Sequence, residues 1–280
     1  MKVGTSTYAL FWTWHAGPGR SGDLPETDLR GLVARGADDG AEVVQLCDHP
    51  DVERQSPEQL RGLRSFAAER GVCLEAGTRG VDAEHLDRWL DVCAALGSPL
   101  LRSMLPASAR DPEGFRAAVA GITRVVPRLE DAGVDLALET YEQVPTGTLV
   151  DVVEAVGSDR VGICLDPGNC VAALEHPRDV VERCAPHVRN VHVKDFGFSR
   201  QDGWVGFTYA GAPLGEGLLD LDHLLDAALA VRPDVTCVVE QWVPWQGDAA
   251  ATRETEAAWN ARSLAVLTAQ QRRRTPALAP

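Results

Sequence analysis

Short apolar runs alternate with longer amphipathic stretches along almost the whole chain. The runs are rich in valine and leucine, which is typical of strands buried on both faces of a parallel sheet. Between them, apolar residues recur every three or four positions, as on one buried helix face. The alternation predicts repeated strand–helix units. Eight strands are predicted, at residues 3–8, 43–48, 72–77, 100–105, 135–140, 161–166, 188–196 and 235–242.

Eight such units predict an α/β protein, a (β/α)8 TIM barrel in a single domain. Glycines such as Gly71 and Gly133 stand directly before apolar runs, where they end the preceding helices. The barrel is predicted to cover residues 1–270, and residues 271–280 are predicted to be a disordered tail. The long, glycine-rich stretch 197–217 between the last two strands is predicted to be an active-site loop.

A doubly wound sheet is the competing architecture, because residues 17–22 match the dinucleotide-binding pattern G-x-G-x-x-G. However, residues 11–16 separate this motif from the first strand, and Pro18 has no N–H to offer a pyrophosphate. We therefore interpret the stretch as a flexible loop.

Composition and charge narrow the function. The chain has 280 residues, is 45% hydrophobic and carries a formal net charge of -14. Such an acidic protein lacks the basic face that a nucleic acid or an anionic membrane requires. There is no apolar signal core or membrane-length run, and the seven cysteines show no Cys-x-x-Cys spacing. We expect a cytoplasmic protein with reduced thiols, and a homo-oligomer is compatible with the sequence.

Near the end of each of the last four strands, an ionisable residue occupies the same side of the alternating in-and-out pattern of side chains. Because side chains alternate along a strand, apolar outward positions place the intervening residues inside the barrel. That inward set includes Glu139, Asp166, His192 and Glu240, at the carboxyl ends where barrel enzymes build their sites.

Three buried carboxylates and one histidine predict a divalent metal site, since a cation removes their mutual repulsion. Oxygen-rich ligands favour Mn²⁺, with Mg²⁺, Co²⁺, Fe²⁺ and Zn²⁺ as alternatives. The other interpretation is four separate hydrogen-bonded barrel residues, and the matched parity argues against it.

Around these residues the chain resembles the xylose isomerase-like TIM-barrel superfamily, in particular its sugar phosphate isomerase/epimerase group. The resemblance implies that the four residues bind one divalent metal, and that Glu139 and Glu240 act as acid and base on opposite faces of a substrate. Asn169 stands where many of these epimerases have a histidine, which argues against a plain ketohexose epimerase. The matching segments are Leu138-Glu139-Thr140, Leu165-Asp166-Pro167-Gly168-Asn169, Val191-His192-Val193-Lys194-Asp195, Pro213-Leu214-Gly215-Glu216-Gly217 and Val239-Glu240-Gln241.

The leading hypothesis is a metal-dependent isomerase or epimerase of a small sugar, keto-sugar or sugar acid. A metal that chelates a carbonyl oxygen and a neighbouring hydroxyl stabilises an enediolate, while carboxylates move the proton. The same residues support a lyase, either a decarboxylase of an oxo-sugar acid or an enzyme that eliminates a group from an oxidised sugar. An apurinic endonuclease shares the fold but requires more histidines and a basic face. A non-catalytic barrel subunit is a further alternative.

Further residues are candidates for substrate contacts. Arg79, Arg102 and Lys194 suit an anionic sugar acid or sugar phosphate, or they pair with neighbouring carboxylates. Gln45 and Glu75 are predicted to bind hydroxyl groups. The tryptophans near the first and last strands form either a wall over the substrate or part of the core. The remaining candidates are Trp12, Trp14, Trp242, Asn169 and Glu216, the last as a residue behind the site or a helix cap.

Overall fold

Eight parallel strands close into a barrel in the computed structural model, which describes residues 1–15 and 27–274. Each strand pairs with its neighbours in sequence order, and the last pairs with the first, so the predicted (β/α)8 fold is confirmed. The glycine motif at residues 17–22 lies outside the described residues. The barrel strands are β1 (Lys2–Ser6), β2 (Val43–Cys47), β3 (Cys73–Gly77), β4 (Leu100–Ser103), β5 (Asp135–Glu139), β6 (Val161–Leu165), β7 (Val188–Val193) and β10 (Thr236–Val239), with the hairpin β8 (Phe196–Arg200) and β9 (Phe207–Gly211) between the last two.

Helices surround the barrel and cover the outward apolar face of the strands. Leu136 and Leu138 of β5 and Ile163 of β6 are completely buried in this outer layer. Aspartate and serine side chains begin several helices by accepting hydrogen bonds from their first turns, as Asp82 does from the N–H of His85. The described helices are α1 (Phe11–Trp14), α2 (Leu29–Asp38), α3 (Pro50–Arg54), α4 (Pro57–Ala68), α5 (Ala83–Leu96), α6 (Pro112–Ala132), α7 (Thr146–Val156), α8 (Pro167–Cys170), α9 (Pro177–Cys184), α10 (Leu221–Val231) and α11 (Ala249–Arg274).

The first and last elements differ from the sequence predictions at their ends. Strand β1 stops at Ser6, because its hydroxyl accepts a hydrogen bond from the N–H of Tyr8 and starts a 3-10 turn. Helix α11 continues to Arg274, four residues past the predicted boundary at residue 270. Arg274 is held there by ion pairs with Asp222 and Asp226 of α10.

The predicted active-site loop at residues 197–217 is partly ordered as the antiparallel hairpin of β8 and β9. The segment after the hairpin is fixed by Asp195, whose carboxylate accepts hydrogen bonds from the N–H groups of Gly215, Gly217 and Leu219. A Cβ at Gly217 would lie 2.1 Å from Oδ1 of Asp195, so only glycine fits this approach.

No helix within the described residues is long and apolar enough to cross a membrane. All seven cysteines are free, and all except Cys73 are buried, as expected of small apolar residues.

Candidate metal centre and active site

Glu139, Asp166, His192 and Glu240 converge at the carboxyl end of the barrel. One ligand atom from each residue lies within 4.8 Å of those of the other three, and all four side chains are buried. Glu139 and His192 lie on β5 and β7, while Asp166 and Glu240 directly follow β6 and β10. The structure therefore brings together the four residues that the strand parity placed on the inward face. We refer to these four residues as the acidic cage.

The orientation of His192 leaves one ring nitrogen facing carboxylates. Its Nε2 lies 2.7 Å from the amide oxygen of Gln45, which can only accept, so Nε2 carries the hydrogen. In the neutral ring Nδ1 is then a lone pair, 3.4 Å from Oε1 of both Glu139 and Glu240. Nδ1 has no hydrogen-bond partner among the described residues. A lone pair aimed between two carboxylate oxygens fits a cation and is otherwise unfavourable.

Gln45 and Glu75 lie beneath the cage and do not line the pocket, which differs from their predicted role in binding substrate hydroxyls. Nε2 of Gln45 donates to Oε2 of Glu75 at 2.9 Å and to Oδ1 of Asn190 at 3.1 Å. These bonds turn the amide oxygen of Gln45 towards His192. Burial raises the pKa of Glu75. This layer orients the histidine, as outer-shell groups do in metal sites.

Lys194 and Asn169 connect the carboxylates of the cage. Nζ of Lys194 donates to Oδ2 of Asp166 at 2.7 Å and to Oδ1 of Asn169 at 3.0 Å, and it lies 3.1 Å from Oε2 of Glu240. The amide nitrogen of Asn169 donates to Oε1 of Glu139 at 2.8 Å. Burial opposes the charge of Lys194, but the carboxylates outweigh it and raise the pKa of this lysine. Both side chains therefore direct their hydrogen bonds to the carboxylates of the cage and to each other.

Arg102 points into the barrel, which settles the direction that the sequence left open. Its Nε forms an ion pair with Oε2 of Glu139, and Nη1 lies 3.0 Å from the carbonyl of Thr78 and 3.3 Å from Oδ2 of Asp48. Burial works against ionisation of Glu139, yet the charge of Arg102 outweighs it and lowers the pKa of that carboxyl group. Glu139 is thus held as a carboxylate by Arg102, while the amide of Asn169 donates to its other oxygen.

The residues of the cage fit a divalent cation. Burial raises the pKa of Asp166, and the nearby Glu139 and Glu240 raise it further, which shows the repulsion between the carboxylates. Three carboxylate groups and one imidazole form the oxygen-rich donor set that Mn²⁺, Mg²⁺ and related ions accept.

A pocket of about 260 Å³ opens directly above the cage. Its volume suits a small molecule, being slightly below the usual range of ligand pockets. Arg79 lies at its wall, where Nε donates to Oδ2 of Asp48 at 2.9 Å and Nη2 donates to the hydroxyl of Tyr8 at 2.6 Å. The lining residues are Tyr8, Arg79, Arg102, Glu139, Tyr141, Glu142, Asn169, Ala172, Lys194, Tyr209, Glu240 and Trp242.

The structure separates the predicted tryptophans. Trp242 lines the pocket, with its ring 4.3 Å from Nζ of Lys194. Trp12 packs at a tilt of 54° against Trp245 in an adjoining groove, and its Nε1 donates to the carbonyl of Val243 at 2.8 Å. Trp14 lies in the core instead, where it packs on His49 and Nε1 donates to the carbonyl of Thr7. Trp14 is therefore a packing residue, because its ring is buried in a cluster with Leu10 and Leu32 and does not line the pocket.

The structure also places Glu216 outside the pocket. It pairs with Arg262 of α11 at the surface, and both side chains are about half exposed. Glu216 therefore neither caps a helix nor faces the cage.

The sequence reasoning missed several residues of the pocket wall, among them Tyr8 and Tyr209, and it also missed Asp48, which pairs with Arg79. Tyr8 lies two residues beyond the inward Ser6, so extending the strand parity would have identified it. Asp48 could not be found this way, because its φ of 54° turns the backbone after β2 and reverses the direction of its side chain. Tyr209 lies on the hairpin, which the sequence did not predict, and its hydroxyl donates to the carbonyl of Gly168 at 2.6 Å.

Comparison with known proteins agrees with this fold. The 3-oxo-isoapionate decarboxylase of Pectobacterium atrosepticum is 44% identical to the chain over 265 residues, covering 94% of both proteins. A crystal structure of D-psicose 3-epimerase superposes with a TM-score of 0.70 at 15% identity, covering 97% of this chain and 98% of that one. A xylose isomerase-like barrel from Mycobacterium smegmatis in complex with magnesium gives 0.66 at 18% identity, covering 94% and 97%. These two structures share the fold.

A sequence-family model, described as the xylose isomerase-like TIM barrel, matches residues 33–266 of this chain, which is most of its length. The resemblance inferred from the strand-end motifs is thereby confirmed. The chain belongs to the xylose isomerase-like TIM-barrel family.

Proposed function

We propose that this protein is a divalent-metal-dependent decarboxylase of a small 3-oxo sugar acid. The observation that carries the proposal is the 44% identity, over 94% of both chains, to a protein named 3-oxo-isoapionate decarboxylase. In a 3-oxo acid the ketone lies two carbons from the carboxylate carbon, so electrons released by loss of CO2 can be taken up by the ketone oxygen. This is the lyase alternative of the sequence analysis, and it replaces the epimerase as the leading hypothesis.

Glu139, Asp166, His192 and Glu240 would hold a divalent ion, which would supply a Lewis acid when bound. Decarboxylation breaks the bond between the carboxylate and the α-carbon. The bonding electrons pass to the α-carbon, CO2 leaves, and one proton from the protein or solvent completes the product. No oxidant or reductant is needed.

Glu240 is placed to handle this proton. The hydroxyl of Ser6 donates to its Oε1 at 3.0 Å, and Lys194 lies 3.1 Å from its Oε2, next to the pocket. Ser6 and Lys194 thereby fix the orientation of the Glu240 carboxyl group. A positioned carboxyl group is an effective general acid or base.

The environment of Glu139 is compatible with a decarboxylase. An epimerase requires both glutamates to exchange protons, on opposite faces of the substrate. Despite its burial, the charge of Arg102 lowers the pKa of Glu139, which makes this carboxylate a weak base. Decarboxylation needs only one proton, so Glu240 alone is sufficient for it.

The proposal is tested by incubating the metal-loaded protein with 3-oxo-isoapionate and, separately, with D-psicose. We expect one CO2 for each 3-oxo acid consumed, and no epimer of the ketohexose. Formation of the epimer without CO2 release from the acid would show that the epimerase hypothesis was correct.

A further inference from the structure

Arg79 differs from the other two cations of the pocket in having unused donors. Arg102 and Lys194 have side chains that are only 3% exposed, and both are bonded to buried carboxylates. The side chain of Arg79 is 55% exposed, and its bonds to Asp48 and Tyr8 use Nε and Nη2. In the part of the chain that the structure describes, no residue accepts a hydrogen bond from Nη1 of Arg79.

The guanidinium of Arg79 is held in place before any ligand arrives. Its loop is fastened to β4, since the N–H of Thr78 donates to the carbonyl of Arg102 and that of Gly80 donates to the carbonyl of Met104. Asp48 and Tyr8 then fix the plane of the side chain. A preorganised guanidinium loses little entropy on binding and matches the geometry of a carboxylate.

The charges around the cage also favour an anionic ligand. Ion pairs connect Arg79 to Asp48, Asp48 to Arg102, and Arg102 to Glu139, so two linked groups separate Arg79 from the cage. Together with Lys194, Asp166 and Glu240, this network has three cations and four carboxylates. A divalent ion reverses the net charge from -1 to +1, and an anion of single charge then restores neutrality.

From these observations we infer that Arg79 is the specificity residue that binds the carboxylate of the substrate, with Tyr8 and Asp48 as its positioning residues. The inference rests on the proposed function for the identity of the acid, but the anion site itself does not. Negative charge moves away from the carboxylate as its bond to the α-carbon breaks. Arg79 therefore strengthens binding of the acid more than it lowers the barrier, and its loss raises KM more than it reduces kcat.

The test compares the wild-type protein with Arg79→Gln, Arg79→Lys and a control, Arg54→Gln. Arg54 is an exposed arginine paired with Asp51 outside the pocket. In Arg79→Gln we expect the KM for the 3-oxo acid to rise about 10- to 100-fold, the loss typical of one charge-assisted hydrogen-bond pair, with kcat reduced less than about threefold. Arg79→Lys should recover part of the affinity, and Arg54→Gln should behave like the wild type.

Two readouts separate anion binding from a structural effect. The first is the affinity for threonate, a four-carbon sugar acid without a ketone, measured by calorimetry. It should be lower in Arg79→Gln than in the wild type by a factor similar to the rise in KM. Exchange of the α-hydrogen of the neutral decarboxylation product with D2O should stay close to the wild-type rate. Unchanged KM and threonate affinity would overturn the inference, and so would loss of the exchange reaction together with decarboxylation.

These measurements also distinguish an error in the proposed function from an error in the inference about Arg79. If the wild type releases no CO2 but binds threonate through Arg79, the decarboxylase proposal is wrong and the anion site stands. If it releases CO2 with a KM that Arg79→Gln does not change, the decarboxylase stands and the inference about Arg79 is wrong.

Discussion

At the scale of single residues, Glu240 has both carboxylate oxygens fixed and faces the pocket. Replacing it by glutamine keeps the shape and one ligand oxygen but removes the ability to carry a proton. We expect Glu240→Gln to retain part of its metal and to lose about 10²- to 10⁴-fold in kcat, the usual contribution of general acid–base catalysis. Metal content and single-turnover CO2 release measure the two effects.

Glu154→Gln serves as the matched control, because Glu154 is exposed and pairs only with His187 among the described residues. It should leave kcat unchanged. Near wild-type turnover in Glu240→Gln would show that Glu240 does not handle the proton.

Gln45 provides a second test at this scale, because its contact with His192 leads to a prediction about metal binding. Gln45→Leu removes the oxygen that accepts the hydrogen on Nε2 of His192. It also removes the amide group that donates to Glu75. We expect metal affinity to fall about 10- to 100-fold, as when other outer-shell partners are lost. Competition with a chelator measures this, and circular dichroism confirms the fold. An unchanged affinity would mean that Gln45 does not orient the histidine.

These residues also show what the sequence could and could not predict. Strand parity identified the four residues of the cage and the inward face of Lys194, since side chains alternate regularly along a strand. The alternation does not show how far below the barrel mouth an inward side chain lies. Gln45 and Glu75 were therefore expected in the pocket, although they lie below it. The alternation also fails where a backbone turns, as at Asp48.

At the scale of elements, Glu256 links α11 to the short helix α1 beside the pocket. Its carboxylate accepts hydrogen bonds from the N–H of Trp12 at 2.7 Å and from the N–H and hydroxyl of Thr13 at 3.0 and 2.7 Å. The side chain is buried, and this burial raises its pKa to about 7 despite these bonds. The folded protein therefore holds a proton there that the unfolded chain loses near pH 4.5.

The raised pKa of Glu256 makes the free energy of unfolding depend on pH in a direction that can be predicted. The raised pKa contributes stability below about pH 4.5, and that contribution is lost as the pH rises through 7. We expect the wild type to lose about 3 kcal/mol of unfolding free energy relative to Glu256→Gln between pH 4.5 and 8. Urea denaturation of both proteins at several pH values measures this difference. A difference that does not change with pH would contradict the assignment.

The hairpin of β8 and β9 shows the limit of prediction at this scale. The barrel strands were visible in the sequence because each is a buried apolar run between helices. Both hairpin strands become more exposed towards their turn, without alternation, and glycines are frequent nearby, so the pattern is typical of a loop. Its pairing depends on contacts with the rest of the protein, such as the bond of Gly211 N–H to the carbonyl of Trp242.

At the scale of the whole molecule, the net charge of -14 says little about the pocket. Three cations lie among its carboxylates, and a bound divalent ion makes the linked network positive. The acidic composition thus argues against a polyanionic partner but is compatible with a small anionic substrate. Manganese as the resident ion and a homo-oligomeric state stay predictions.

The central claim is that the acidic cage holds a divalent ion on which decarboxylation depends. The most direct test removes metal with a chelator, adds back Mn²⁺ or Mg²⁺ in measured amounts, and follows CO2 release from 3-oxo-isoapionate. We predict no turnover without metal and full recovery at one ion per chain, with no recovery in His192→Ala. Undiminished CO2 release by the metal-free protein, or none from the reloaded protein, would contradict the account.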